Sequence, residues 1–182
     1  MIYNNIEAEM RAARTVAELM LAAARTAPKG CGADNLAAMI IDGEEKARLA
    51  DQMRKIAEET GEDFFARDAG NVDASIVIVI LGALGNPLGL SHCSYCGFAD
   101  CVDMLKAGAN CAFNITDLGI AVGSAVSIAA DHRIDNRVLF SAGKAAIALG
   151  YLPDGVRVAY GIPLSASSKS IFFDRSSENV ML

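Results

Sequence analysis

The chain has 182 residues, 53% of them hydrophobic, and a formal net charge of −6. That length supports one domain over 1–182 with a core needing no covalent staples. The acidic balance, with no Lys/Arg cluster interleaved with aromatics, argues against a nucleic-acid partner.

Residues 4–27 have the spacing of an amphipathic helix, with Ile6, Met10, Ala13, Ala17, Met20, Leu21 and Ala24 recurring three and four apart. Pro28 and Gly30 end it. After the turn-rich PKGCGADN, the run Leu36 to Ile41 reads as a strand. Asp42 and Glu45 have the spacing of a capping box for a helix over about 44–60, which Gly61 closes. Ser75 to Leu81 (SIVIVIL) is the clearest strand, continuous and β-branched, so both faces are expected to be covered. GALGNPLGL then breaks regular structure. Val102 to Ala107 can form a short helix, Ile115 to Ala130 is an apolar helix expected at the centre of the fold, and another helix covers about 137–149. Val156 to Ile162 reads as a strand. Asp131, Asp135 and Asn136 read as a cap and turn group around His132. Helices separate the strands, which predicts a layered α/β or α+β fold. The longest strongly apolar run, Ile76 to Leu81, is far short of the roughly 20 residues of a membrane helix, and the charged N-terminus has no signal-peptide core. The expectation is a cytoplasmic protein without a membrane partner. Its apolar excess and small-residue helices predict a homodimer.

Four of the five cysteines fall in SHCSYCGFADCVDMLKAGANC: Cys93, Cys96, Cys101 and Cys111, spaced C-x2-C-x4-C-x9-C. Thiols at that density, without a secretion signal, point to a metal or an iron–sulfur cluster. A C-x2-C start lets one tight turn present two sulfurs, and Gly97 allows backbone amides to approach inorganic sulfide. Zinc is the rival metal, although four-cysteine zinc sites usually close with a second near pair. Residues 91–111 are thus the cofactor-binding segment. His92, beside Cys93, fits a supporting hydrogen bond first, with an alternative ligand or a proton relay as the other readings. Cys31, the odd thiol, reads first as a small buried hydrophobe, with a redox or cofactor-proximal role in the Gly-rich loop as the alternative. No G-x-S-x-G, Walker A or G-x-G-x-x-G element is present.

The run SHCSYCGFADC resembles the [4Fe-4S] segment of corrinoid iron–sulfur proteins and of the electron-carrying subunit of Rnf-type complexes. The resemblance makes Cys93, Cys96, Cys101 and Cys111 the ligands and puts Phe98 at the aromatic position. The wider chain, through TAPKGCGADN, EDFFARDAGNVDAS, DLGIAVGSAV and GIPLSASSKSIFFDR, resembles a prokaryotic family described as ferredoxin-domain-containing. AAARTAPKG and ALGYLPDGVRVAYGIPLSASSKSIFFDR in turn resemble segments of FMN-dependent nitroreductases. This last likeness implies an α+β, three-layer fold, a central sheet flanked by helices, with the cysteine-rich loop inserted. It also implies an FMN site, with Arg25, Lys29 and Asn35 near the flavin and Lys169 and Arg175 on its phosphate. The functional expectation is an iron–sulfur redox protein, a possible flavin-dependent oxidoreductase with an unidentified protein redox partner. The alternative is a non-catalytic module locked by zinc or a cluster.

Overall fold

A computed structural model describes residues 2–173. In chain order the elements are α1 (Asn5–Thr26), a 3-10 turn (Gly30–Gly32), β1 (Leu36–Ile41), α2 (Gly43–Thr60), α3 (Phe64–Ala74), β2 (Val77–Leu84), α4 (Cys101–Lys106), α5 (Ala112–Asp131), β3 (Asp135–Asn136), α6 (Phe140–Ala148) and β4 (Val156–Ser165). The four strands form one antiparallel sheet in the order β1-β2-β4-β3.

The alternation of side chains along a strand divides the core in two. From β2, Val77, Val79, Leu81 and Ala83 face α1 and α5, where they meet Met20, Leu118, Ala121 and Ala125. Ile78 and Ile80 face the opposite way, into a core built with α2, α3 and α6. The strand is buried on both faces, as its unbroken β-branched run predicts. Helices thus cover both sides of the sheet, and the three-layer α+β arrangement is present.

Small residues set the closest approach. Gly143 of α6 lies directly on the backbone of β4 at Ala159 and Tyr160, and Gly161 of β4 faces the Ala142 methyl. The bridge between Leu139 and Gly161, with N–H···O distances of 2.7 and 2.9 Å, fixes α6 to the strand at that point.

Several local expectations need correction. Asp42 begins α2, but its side chain makes no capping bond; its carboxylate pairs with Arg14 at 3.0 Å instead. α3 was not expected from the sequence, although Phe65, Ala69 and Val72 line its buried face at helical spacing. Asp135 and Asn136 form a short strand rather than only a turn. α5 is not wrapped by protein: Leu118, Ala121, Ala125 and Ala129 are buried, while Gly119, Ile120 and Gly123 face outward. An 18-residue stretch of α5 has a mean hydropathy of 1.4, enough by length and composition to cross a membrane. Unbroken apolar runs in α5 are short because Gly119, Gly123, Ser124 and Ser127 interrupt them as well as Asn114, Thr116 and Asp117. Packing of α5 on α1 and β2 gives the apolar inner face a core role.

Candidate metal centre

The cysteine segment leaves the sheet at the end of β2 and returns at the start of α5, and polar groups tie the two ends together. The Leu84 N–H donates to the Asn35 carbonyl at 2.9 Å. Asn114, 2% exposed, donates from Nδ2 to the carbonyls of Leu84 (2.9 Å) and Asn86, and its Oδ1 accepts from Asn35 Nδ2 at 3.2 Å. Arg157 lies over Gly85 and donates to the Ala109 carbonyl at 2.9 Å. One turn further along α5, buried Asp117 accepts from the Gly30 N–H through both oxygens, at 3.1 and 3.0 Å. Buried polar groups are costly unless paired, so this network fixes one arrangement of the root. Asn114→Ala would orphan two carbonyls and an amide. We expect a loss of about 3 kcal/mol in urea unfolding.

Beyond the root, the chain takes left-handed backbone conformations at Gly89, His92, Ser94 and Gly97. At His92 (φ 59°) and Ser94 (φ 49°), either side of Cys93, a side chain makes that conformation costly, about 1–3 kcal/mol each. The turn is closed by the Gly97 N–H on the Ser94 carbonyl (3.0 Å) and by Ser94 Oγ donating to the Ala99 carbonyl (3.3 Å). Asp100 caps α4 by accepting from the Asp103 N–H at 2.9 Å. Gly108, at φ 66°, lets the chain leave α4, and the Ala109 N–H closes back on the Met104 carbonyl at 3.1 Å. Tyr95 stacks on Phe113 of α5, with centroids 5.5 Å apart and planes at 14°.

This path brings Cys93, Cys96, Cys101 and Cys111 to the wall of one small cavity of about 70 Å³, together with Leu90, His92, Phe98 and Met104. Cys111 is buried and the other three are half-buried; all four are free thiols. Cys111 is also the N-cap residue of α5, where the helix dipole favours an anionic ligand. Among the described residues, no three His, Cys, Asp or Glu side chains close on one point as ligands of a single ion.

Cys31 corrects an expectation. It is exposed, at φ 54° in the 3-10 turn, and lines no part of the thiol cavity. Its turn packs against the root of the cysteine segment, since a Cβ on Gly30 would come within 2.6 Å of Leu88 and 3.4 Å of Phe113.

Of the residues nominated for flavin, the structure brings two together. Arg25 and Lys29 line one open pocket of about 440 Å³ with Pro28, Gly32 and Asp34. Arg25 is paired with Asp34 at 2.5 Å, and the Lys29 ammonium donates to the Arg25 and Ala27 carbonyls at 2.6 and 2.9 Å. Asn35 belongs to the Asn114 network. Lys169 is exposed in the segment after β4, where its carbonyl accepts from Ser167 Oγ at 2.6 Å. Arg175 lies outside the described residues. A separate groove of about 350 Å³ runs along β1 at Met39, Ile41, Glu45 and Tyr151. There burial, and then the hydrogen bond to Glu45, push the Tyr151 hydroxyl up to about 12. The groove contains none of the nominated residues.

Residues 107–175 match the family described as "Uncharacterized protein containing a ferredoxin domain" (DUF2148). A protein of Archaeoglobus fulgidus named "Uncharacterized protein" is 39% identical over 97% of this chain and 98% of its own length. The chain belongs to this ferredoxin-domain family. Within the matched residues lies Cys111 alone of the four clustered thiols; Cys93, Cys96 and Cys101 precede them.

This family member has the fold of nitroreductases. The hypothetical oxidoreductase YcnD of Bacillus subtilis superposes with a TM-score of 0.57 at 13% identity, covering 87% of this chain and 59% of its own. An FMN-dependent nitroreductase of Clostridium difficile gives 0.55 at 17% identity, covering 86% and 77%. The chain spans under two thirds of YcnD and of NfrA2 from B. megaterium. At these identities the likeness establishes the fold, and the fold alone.

Proposed function

We propose that Cys93, Cys96, Cys101 and Cys111 hold a [4Fe-4S] cluster and that the protein carries electrons through it. The observation behind this reading is that all four thiols line a single cavity. A cubane spreads its four irons, each taking one cysteine, so its ligands surround a volume. A lone zinc would instead draw its sulfurs to about 2.3 Å from one centre. The ferredoxin description of the family supports the same chemistry. When bound, the cluster supplies a one-electron couple. The polypeptide supplies thiolates, a fixed backbone around Cys93, and an apolar lining from Leu90, Phe98 and Met104 that limits water. Iron and acid-labile sulfide assayed after oxygen-free purification test the reading. Equal amounts of the two are expected, whereas their absence would return the segment to a zinc-held structural module.

A second reading adds FMN. It is favoured by the fold shared with a nitroreductase described as FMN-dependent and by the cationic residues of the Arg25–Lys29 pocket. The cations there are already engaged, by Asp34 and by main-chain carbonyls, so the pocket as it stands is not a phosphate cradle. FMN titrated against the protein should show saturable fluorescence quenching that Arg25→Glu abolishes; no quenching would dismiss the flavin.

We also propose a homodimer, on the strength of the outward face of α5. Ile120 is exposed there, and Gly119 and Gly123 have nothing within 4 Å of a Cβ position, leaving room for close helix approach. Ile120→Asp is expected to halve the mass seen by light scattering. An unchanged mass would locate the contact elsewhere.

A further inference from the structure

Bulky apolar side chains lie uncovered within the cysteine segment: Leu90, Tyr95, Val102 and Leu105. Val102 and Leu105 stand three residues apart on α4, hence on one side of it, and are 57% and 45% exposed. The neighbouring side of the same helix buries Met104 and contributes Cys101 to the cavity wall. Leu90 is both exposed and part of that wall. Exposed apolar side chains thus flank the thiol cavity: Leu90 forms part of its wall, and Val102 and Leu105 share α4 with Cys101.

Its size and charge indicate what covers it. A stable protein interface takes roughly 20–30 residues a side, while weak electron-transfer encounters use the smallest areas. A handful of side chains on a short helix and its flanking turn suits a transient partner, not a permanently held second copy. Asp100 and Asp103 are exposed beside the patch, and the cation of α4, Lys106, is paired with Asp103 at 3.2 Å. The whole chain is acidic as well, at −6. Residues 85–111 carry Asp100, Asp103 and Lys106, a net charge of −1, so the segment itself favours a basic partner over an acidic one.

We propose that the Leu90–Tyr95–Val102–Leu105 face is the docking surface for a small, positively charged electron-carrying protein. The proposal rests on the cluster reading above. The step is a one-electron exchange: the reduced cluster is oxidised by one electron, the partner's acceptor is reduced by one, and no bond or proton is involved.

Ferric cytochrome c, a basic haem protein, is the probe, with a small neutral quinone as the control acceptor. Both are mixed with the reduced, oxygen-free holoprotein. Val102→Ser/Leu105→Ser should slow cytochrome c reduction about tenfold, the equivalent of about 1.4 kcal/mol. Its quinone rate, iron and sulfide should be unchanged. Lys106→Glu should speed cytochrome c reduction a few-fold at low ionic strength, a gain that high salt removes. A damaged fold does not produce a gain, so Lys106→Glu decides the matter if the serine variant loses iron. Equal cytochrome c rates in all three proteins would overturn the proposal. So would a change of mass in the serine variant with no change in rate, which would mark a contact between copies. A wild-type protein without iron and sulfide would be a different failure, that of the cluster reading itself.

Discussion

Cys96→Ser is expected to remove at least about nine tenths of the protein's iron and sulfide, whereas Cys31→Ser leaves both at the wild-type level. The difference follows from position. Cys96 lines the cavity with Cys93, Cys101 and Cys111, and each iron of a cubane depends on its own thiolate. A hydroxyl is a poor replacement for that ligand. Disturbing groups that merely support a metal ligand already costs 10–100-fold in affinity, so losing a ligand outright should cost no less. Cys31 is exposed on the 3-10 turn, away from the cavity wall. Iron and sulfide assays on both variants, purified without oxygen, give the answer. Equal loss in the two would mean that the ligand set has been wrongly assigned.

Gly143→Ala is expected to be the most damaging of the chain's glycine-to-alanine changes. A Cβ at that position would overlap the carbonyl carbon and oxygen of Ala159 and come within 2.6 Å of the Tyr160 nitrogen. Backbone on both sides cannot move aside as a side-chain tip can. The contact joins α6 to β4 inside the core, so relief requires separating two packed layers. The expected loss exceeds about 4 kcal/mol, beyond the ordinary range for point substitutions. Gly70 of α3 is the control: nothing lies within 4 Å of its Cβ position, and its helical backbone suits alanine. Gly70→Ala should gain about 0.5–1 kcal/mol. Urea unfolding of the pair measures both signs; similar effects at the two positions would show that α6 does not approach β4 this closely.

What the sequence reveals depends on whether the signal is local. The β-branched run at the centre of β2 can be read because burial on both faces demands it. The extension to Leu84 escapes notice because Gly82 and Gly85, permissive of turns, lie there under Val156 and Arg157. α3 carries Gly70, Asn71 and two aspartates, weak helix formers, so propensity hides it. Its Phe65, Ala69 and Val72 stripe is nonetheless present, and weighting that spacing above composition would have found it. The four clustered thiols are legible from spacing alone. The network that roots their segment is not, since Asn114 and Asp117 look like interruptions of an apolar helix until Asn35, Leu84 and Gly30 arrive from distant sequence. Two polar residues three apart on the buried face of such a helix are the signal that could have flagged them. Cys31 was read as buried on its residue type. The left-handed turn that exposes it follows from the glycines either side, which relax the backbone without indicating where the thiol points.

The central claim, that one polynuclear cluster sits on Cys93, Cys96, Cys101 and Cys111, is tested most directly by Mössbauer spectroscopy. The sample is protein grown on iron-57 and kept free of oxygen, before and after reduction. The account predicts that essentially all the iron gives the delocalised mixed-valence signature of a [4Fe-4S] cube and gains one electron per chain on reduction. Iron present only as isolated high-spin ions, or a protein carrying zinc and no iron, would contradict it.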